Sequence, residues 1–285
     1  MLLVTTAAEL RAHLDAVRRD GGRVGLVPTM GFLHDGHVSL MAASVADNDC
    51  TVVTIFVNPL QFAPTEDLAA YPRDLDRDRE RCEEAGVDLV FAPSVEEMYP
   101  APVQTTVTVD GITATMEGAS RPTHFAGVAT VVAKLFALAG PCRAYFGEKD
   151  FQQLAVVATM ARDLSFPVEV VGCPIVREAD GLALSSRNAY LTDEERAAAP
   201  VLHEALEAGA AAVRDGERDP EEVRALVAAT IRAEPRAELD YVAVVDAGTL
   251  EPVDPLRGEV RLLAAARFGR ARLLDNVGVS LPAGG

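Results

Sequence analysis

The chain has 285 residues and a hydrophobic content of 49%, enough for one large or two modest domains around a real core. Its formal net charge of −17 excludes a broad nucleic-acid surface, which needs clustered Lys and Arg to displace counterions. Four isolated cysteines (Cys50, Cys82, Cys142 and Cys173) form no C-x-x-C pair, which argues against a disulfide frame or zinc cage and for a reducing cytosol.

The N-terminus has no basic region ahead of a long apolar run, and no apolar stretch reaches transmembrane length. Neither a signal peptide nor a membrane span is expected. A leading helix is predicted over 7–19. Strand-like runs follow at 24–28, 51–57, 87–91, 144–146 and 168–171, several of them apolar throughout, as strands buried on both faces should be. Helical patterns lie between them at 38–46, 75–85, 128–139 and 151–164. This alternation predicts an α/β fold, a doubly wound parallel sheet with helices on both sides. Residues 105–109 alternate and read as a short strand, whereas 58–71 and 117–125 carry Pro and Gly and read as loops.

Beyond Arg177 the character changes. Thr192 and Glu195 have the spacing of a capping box, and Ala-rich helices are predicted at 195–213 and 221–233. Alternating strands follow at 240–245, 259–265 and 271–274, and 281–285 reads as a frayed tail. A helix pair followed by three strands predicts a smaller C-terminal α+β domain with an antiparallel sheet, dividing the chain into 1–176 and 177–285.

The most informative segment is His34-Asp35-Gly36-His37, between the run 24–28 and the helical pattern from Val38. A strand that ends in a Gly-containing turn and hands over to a helix makes an anion-binding mouth, where free N–H groups and the positive end of the helix dipole face outward. Two histidines add donors, and Gly36 allows close approach of a large group. The combination suits a nucleotide polyphosphate attacked at phosphorus. Three readings of the pair compete: structural caps, half of a zinc site, and phosphate stabilisation. A zinc site needs further ligands, and none of His13, His124 or His203 is spaced as one. The strand–turn–helix context favours phosphate.

Gly147-Glu148-Lys149-Asp150 follows the run 144–146 and opens a helix. In doubly wound sheets ligands bind beyond the carboxyl ends of strands, where the strand order reverses. Lys149 is one of only two lysines in an arginine-rich chain, and a slender ammonium there acts as a point charge that guanidinium cannot replace. Asp150 either holds ribose hydroxyls or simply caps the helix. Ser185-Ser186-Arg187 offers hydroxyls and a guanidinium to phosphate oxygens, although serine also serves turns. Asn58, Gln61 and Gln153 are neutral amides suited to a substrate with hydroxyls and a carboxylate.

Five blocks in order resemble the pantothenate synthetase (pantoate–β-alanine ligase) family. They are Pro28-Thr29-Met30-Gly31-Phe32-Leu33-His34-Asp35-Gly36-His37, Ile55-Phe56-Val57-Asn58-Pro59-Leu60-Gln61-Phe62, Arg121-Pro122-Thr123-His124-Phe125-Ala126-Gly127-Val128, Phe146-Gly147-Glu148-Lys149-Asp150-Phe151-Gln152-Gln153 and Arg177 through Asn188. The His-x-Gly-His element alone would indicate only the wider nucleotidyltransferase superfamily. Beyond Leu191 the likeness is looser, apart from Leu273-Leu274-Asp275-Asn276. Phe32 stands where Ala is usual in the family, and Leu184 where Met is common.

The resemblance implies a two-step ligation in the cytoplasm by a homodimer with a Rossmann-like domain and a smaller lid domain. Pantoate's carboxylate attacks the α-phosphorus of ATP, giving pantoyl adenylate and pyrophosphate; the amine of β-alanine then releases AMP and forms pantothenate. His34, His37, Lys149, Ser185, Ser186 and Arg187 would stabilise phosphate charge, with His37 the candidate proton donor. Gly147, Asp150 and Val176 would hold adenosine, and Met30, Glu148 and Leu184 would complete the ATP contacts. Gln61 and Gln153 would hold pantoate beside Asn58 and the Met30 backbone, with Tyr71 and 117–121 bordering the pocket. Mg2+ would ride on the phosphates, because no carboxylate cluster suggests a protein cage. The partners implied are ATP, pantoate and β-alanine, with no nucleic acid or membrane. Two other readings stay open: a different adenylyltransferase that leaves AMP on its product, and a nucleotide-binding regulator without catalysis.

Overall fold

The apolar runs become six parallel strands in the computed structural model, which describes residues 1–62, 68 and 71–282. They are β1 (Leu2–Val4), β2 (Val24–Thr29), β3 (Cys50–Ile55), β4 (Leu89–Phe91), β5 (Cys142–Gly147) and β6 (Val168–Cys173), in the order β1-β4-β3-β2-β5-β6. The intervening helices are α1 (Ala7–Arg19), α2 (Asp35–Asp47), α3 (Leu75–Glu84), the short α4 (Val95–Met98) and α5 (Met116–Ser120), α6 (His124–Ala139) and α7 (Phe151–Asp163).

Side chains alternate across the pleat into two cores, so both faces are covered. Leu26, Val52, Leu89 and Ala144 pack with α1, α6 and α7 on one side. Val27, Val53, Val90 and Tyr145 pack with Leu40 and Met41 of α2 and Cys82 of α3 on the other. The sheet grows from β2 through β3 to β4 in one direction and from β5 to β6 in the other. β2 and β5 are therefore neighbours at the point where the winding reverses, and their carboxyl ends flank the crevice where such folds bind ligands.

The C-terminal part contains α8 (Asp193–Ala198), α9 (Val201–Arg214), α10 (Pro220–Arg232) and the antiparallel sheet β7 (Ala237–Asp246), β8 (Glu259–Phe268) and β9 (Ala271–Ser280). Leu202 and Leu206 of α9 and Val223 and Val227 of α10 pack with Leu262 and Phe268 in a core of their own. The architecture is thus a Rossmann-like parallel sheet plus a three-stranded antiparallel sheet. The chain forms two compact units: Met1–Glu148 with Gln153–Pro174, and Lys149–Gln152 with Ile175–Gly285.

Several expectations are corrected. α2 begins at Asp35 rather than Val38, because the His34 side chain caps it. The region 117–125 is not a loop: α5 and the start of α6 occupy most of it, and Pro122 merely separates them. Residues 105–109 form no strand, since no described strand pairs with them; Val107 and Val109 pack on the first core, and the Val107 N–H donates to Thr130 Oγ1 at 2.9 Å. Their alternation thus records one-sided burial without a ladder. The helix expected at 195–213 is two helices, because Pro200 lacks the N–H needed to continue the first. β9 runs on to Ser280, past the polar pair Asp275 and Asn276 that breaks its apolar pattern. β1, only three residues long, gives too little pattern to be seen. Within 58–71, Pro59–Gln61 form a 3-10 turn, while 63–67 and 69–70 lie outside the described residues, as do 283–285 of the tail. Leu281, expected to fray, is buried and hydrogen-bonded to Gly258. Among the described residues no helix is long and apolar enough to cross a membrane.

α6 lies directly against the Pro59–Gln61 turn because Gly127 has no side chain; a Cβ there would overlap the Leu60 carbonyl. Gly127→Ala is expected to lower unfolding free energy by about 1–3 kcal/mol, as overpacking does, measured by urea denaturation against the parent.

Candidate active site

The first turn of α2 needs acceptors for its N–H groups. His34 is the N-cap, and its Nδ1 accepts from the Gly36 N–H at 3.2 Å. His37 reaches back, its Nδ1 accepting from the His34 N–H at 3.3 Å. The pair forms a reciprocal capping box built from two imidazoles, with ring centroids 4.1 Å apart. An Nδ1 that accepts carries no proton, so each neutral ring holds its proton on Nε2 and is a donor there. The capping and phosphate readings therefore do not compete: one nitrogen of each ring holds the helix, and the other carries the donor proton.

The amides form a second cluster. Asn58 Nδ2 donates to Gln61 Oε1 and to the Gly127 carbonyl, both at 3.1 Å. Asn58 Oδ1 accepts from the Tyr99 hydroxyl at 2.8 Å and the Leu60 N–H at 3.3 Å. Asn58 is 1% exposed and its amide is committed inside the fold, so it sets the rotamer of Gln61. Gln61 Nε2 in turn lies 2.9 Å from the Met30 sulfur. Tyr99 belongs to this cluster although no sequence motif marks it. Burial pushes its hydroxyl up to about 12, which keeps it a protonated donor to Asn58. The His124 ring lies 3.1 Å from the Gln61 carbonyl, and Tyr71 meets Phe62 edge-on at 5.9 Å. Gln153 sits on α7 within the same unit, Gly147 ends β5, and Glu148 opens the 3-10 turn that follows it.

The remaining candidates belong to the second unit. Lys149, Ser185, Asn188, His203 and Asp275 line one small cavity there. Ser185 Oγ accepts from the Arg187 N–H at 3.2 Å, capping the 3-10 turn Ser186–Tyr190. The Leu184 N–H donates to the Val176 carbonyl at 2.9 Å, holding these two candidates side by side. Asp150 follows Lys149 in a 3-10 turn leading into α7. Lys149 is held by its own backbone: its carbonyl accepts from Asn276 Nδ2 at 2.9 Å. Asn276 Oδ1 accepts from Arg261 Nε at 2.7 Å, and the Arg261 guanidinium stacks on the Phe151 ring at 3.9 Å. Asp275 accepts two hydrogen bonds from Arg177 at 2.6 and 2.9 Å, and one from the Asn276 N–H at 2.7 Å. The Leu273–Asn276 segment thus ties the 177–188 stretch to the Lys149 backbone. Sequence spacing carries no sign of that link.

A doubly wound Rossmann-like sheet with a histidine pair beyond the end of its central strand, next to the point of reversal, defines an α/β enzyme. The chain belongs to the pantoate–β-alanine ligase family, whose model matches residues 2–278. The pantothenate synthetase of Moorella thermoacetica is 54% identical over 277 residues, covering 97% of this chain and 98% of the relative. The crystal structure of pantothenate synthetase from Thermus thermophilus superposes with a TM-score of 0.92 at 54% identity, covering 97% of this chain and 99% of that one. A pantoate–β-alanine ligase from Francisella tularensis, solved in complex with β-γ ATP and β-alanine, gives 0.78 at 31% identity and covers 97% of both chains.

Asp275 is 4% exposed, and its partner Arg177 is largely shielded. Asp275→Ala leaves that guanidinium without its carboxylate and is expected to lower unfolding free energy by about 3 kcal/mol. Chemical denaturation checks this, and a change below about 1 kcal/mol would show that the pair does not hold the segment.

Proposed function

We propose that this chain joins pantoate to β-alanine at the expense of ATP, through pantoyl adenylate. The observation that carries the reading is the pair of imidazoles at the start of α2, each with Nδ1 tied into the helix cap and hence a donor at Nε2. In the first step a pantoate carboxylate oxygen bonds to the α-phosphorus, and the bond to the bridging oxygen breaks, releasing pyrophosphate. In the second, the amine of β-alanine bonds to the acyl carbon, the bond to AMP breaks, and the amine loses a proton to solvent. Nucleotidyl transfer depends chiefly on positioning and charge stabilisation, and preorganised donors supply both.

The roles follow the chemistry of each group. His34, His37, Lys149, Ser185, Ser186 and Arg187 stabilise phosphate charge, with His37 protonating the departing pyrophosphate. Lys149 lines a small cavity with Ser185, and its ammonium suits phosphate oxygens as a point charge. Gly147, Asp150 and Val176 hold adenosine, beside Met30, Glu148 and Leu184. Gln61 and Gln153 hold pantoate, Asn58 orients Gln61, and Tyr71 borders the pocket. Mg2+ is part of this reading, bound through the triphosphate oxygens, where it would neutralise charge. A cytoplasmic homodimer belongs to the same reading. Burial pushes the Cys50 and Cys82 thiols up to about 11 and about 12, which keeps them protonated and weakly nucleophilic.

Pyrophosphate should exchange into ATP with pantoate present and β-alanine absent. Equal exchange without pantoate overturns the first step, and a stable adenylylated product with no AMP would identify a different transferase. Lys149→Ala is expected to reduce turnover by roughly 100- to 1000-fold, as loss of a preorganised charge-stabilising donor does, with an unchanged circular dichroism spectrum; unchanged turnover removes Lys149 from the mechanism.

A further inference from the structure

The turn between β2 and His34 is conformationally unusual. Gly31 and Phe32 have φ values of 82° and 53°, so two successive residues stand in the left-handed region. An L side chain such as that of Phe32 adopts this region only when its surroundings hold it there. The turn presents its N–H groups inward, and each meets a side-chain acceptor. Gly31 N–H donates to Thr29 Oγ1 at 3.2 Å. Phe32 N–H donates to Asp78 Oδ2 at 2.8 Å, and Leu33 N–H to Asp78 Oδ1 at 2.7 Å. Asp78, on α3, is 1% exposed, and its carboxylate sits in a nest of consecutive N–H groups, as an anion would. A Cβ at Gly31 would come within 2.9 Å of Asp78 Oδ2, so only glycine leaves the carboxylate room.

The same helix holds the chain on the other side of His34. Arg81 Nη1 pairs with Asp35 Oδ1 at 2.9 Å, and the Arg77 guanidinium lies over the Phe32 ring at 5.0 Å. Phe32 thus meets α3 through both its ring and its N–H. The proposed chemistry gives Asp78 no reacting role, and burial keeps it from any ligand.

We infer that Asp78 is a positioning residue for the histidine pair: by binding the two N–H groups immediately before His34, it fixes where the His34 and His37 rings stand. The functional part of this inference rests on the proposed ligase reading. A misplacement of about 1 Å in a group that acts by position costs up to about 100-fold in rate.

The test uses the full-length protein with Asp78→Asn, which keeps the shape but turns one acceptor into a donor, and Asp78→Glu, which keeps the charge but moves it by a methylene. For a folded variant, kcat should fall roughly 10- to 100-fold, with KM for ATP and pantoate within about threefold of the parent. The ε1-proton NMR resonances of His34 and His37 should move in the same variant. That second readout needs no activity: if the parent fails to catalyse pantoate-dependent exchange, the ligase reading falls, while the resonances still report on Asp78. A folded variant with parental kcat and unmoved histidine resonances overturns the inference. Loss of the native fold in both variants also overturns it, by assigning Asp78 to folding alone.

Discussion

The first turn of an α-helix leaves backbone N–H groups without carbonyl partners, and in α2 two imidazole nitrogens take them. Most of the organisation around β2 follows from that choice. Ser or Asp at the cap would hold the helix equally well but would bring no second functional atom on the same ring. With histidine, the cap fixes the tautomer, the ring plane and the distance from the end of β2 at once. The helix start and the candidate chemistry cannot be altered separately, which gives a physical reason for two histidines three residues apart at this junction.

The amide cluster follows a similar logic at lower charge. Asn58 spends all of its capacity on Gln61, Gly127, Tyr99 and Leu60. The group nearest in type to a ligand-binding residue is therefore support for its neighbour. Tyr99 can serve Asn58 only while its hydroxyl stays protonated, and the apolar surroundings ensure that. Neutral groups suit a chain of net charge −17, because they bind polar ligands without working against the overall field. Many surface arginines are already engaged, as Arg143 is with Asp47 and Glu169, and Arg196 with Asp180.

The parallel sheet is legible in the sequence because β2, β3 and β4 are buried on both faces and write nearly continuous apolar runs. The histidine pair is legible because a strand, a glycine turn and a helix follow one another closely there. What stays hidden is long-range. Asp78 lies 46 residues from Phe32, and Asn276 lies 127 residues from Lys149; each makes its contact through a backbone group, which leaves no complementary side chain to notice. Residues 105–109 mislead for the opposite reason, since alternation reports which side is buried and not whether a neighbouring strand exists. Pro200 is readable in principle, as a missing N–H in a long helical pattern, but the alanine-rich composition on both sides masks it.

The second unit is not one continuous stretch of chain. Four residues, Lys149–Gln152, belong to it although the segments on either side belong to the first. A fragment cut at Ile175 would retain all three strands of the antiparallel sheet and its helices, yet Asn276 would lose the Lys149 carbonyl and Arg261 the Phe151 ring. The chain has therefore given up modularity at this point. During synthesis these four residues emerge well before the sheet that receives them, and their final hydrogen bond can form only after β9, close to the C-terminus, has been made.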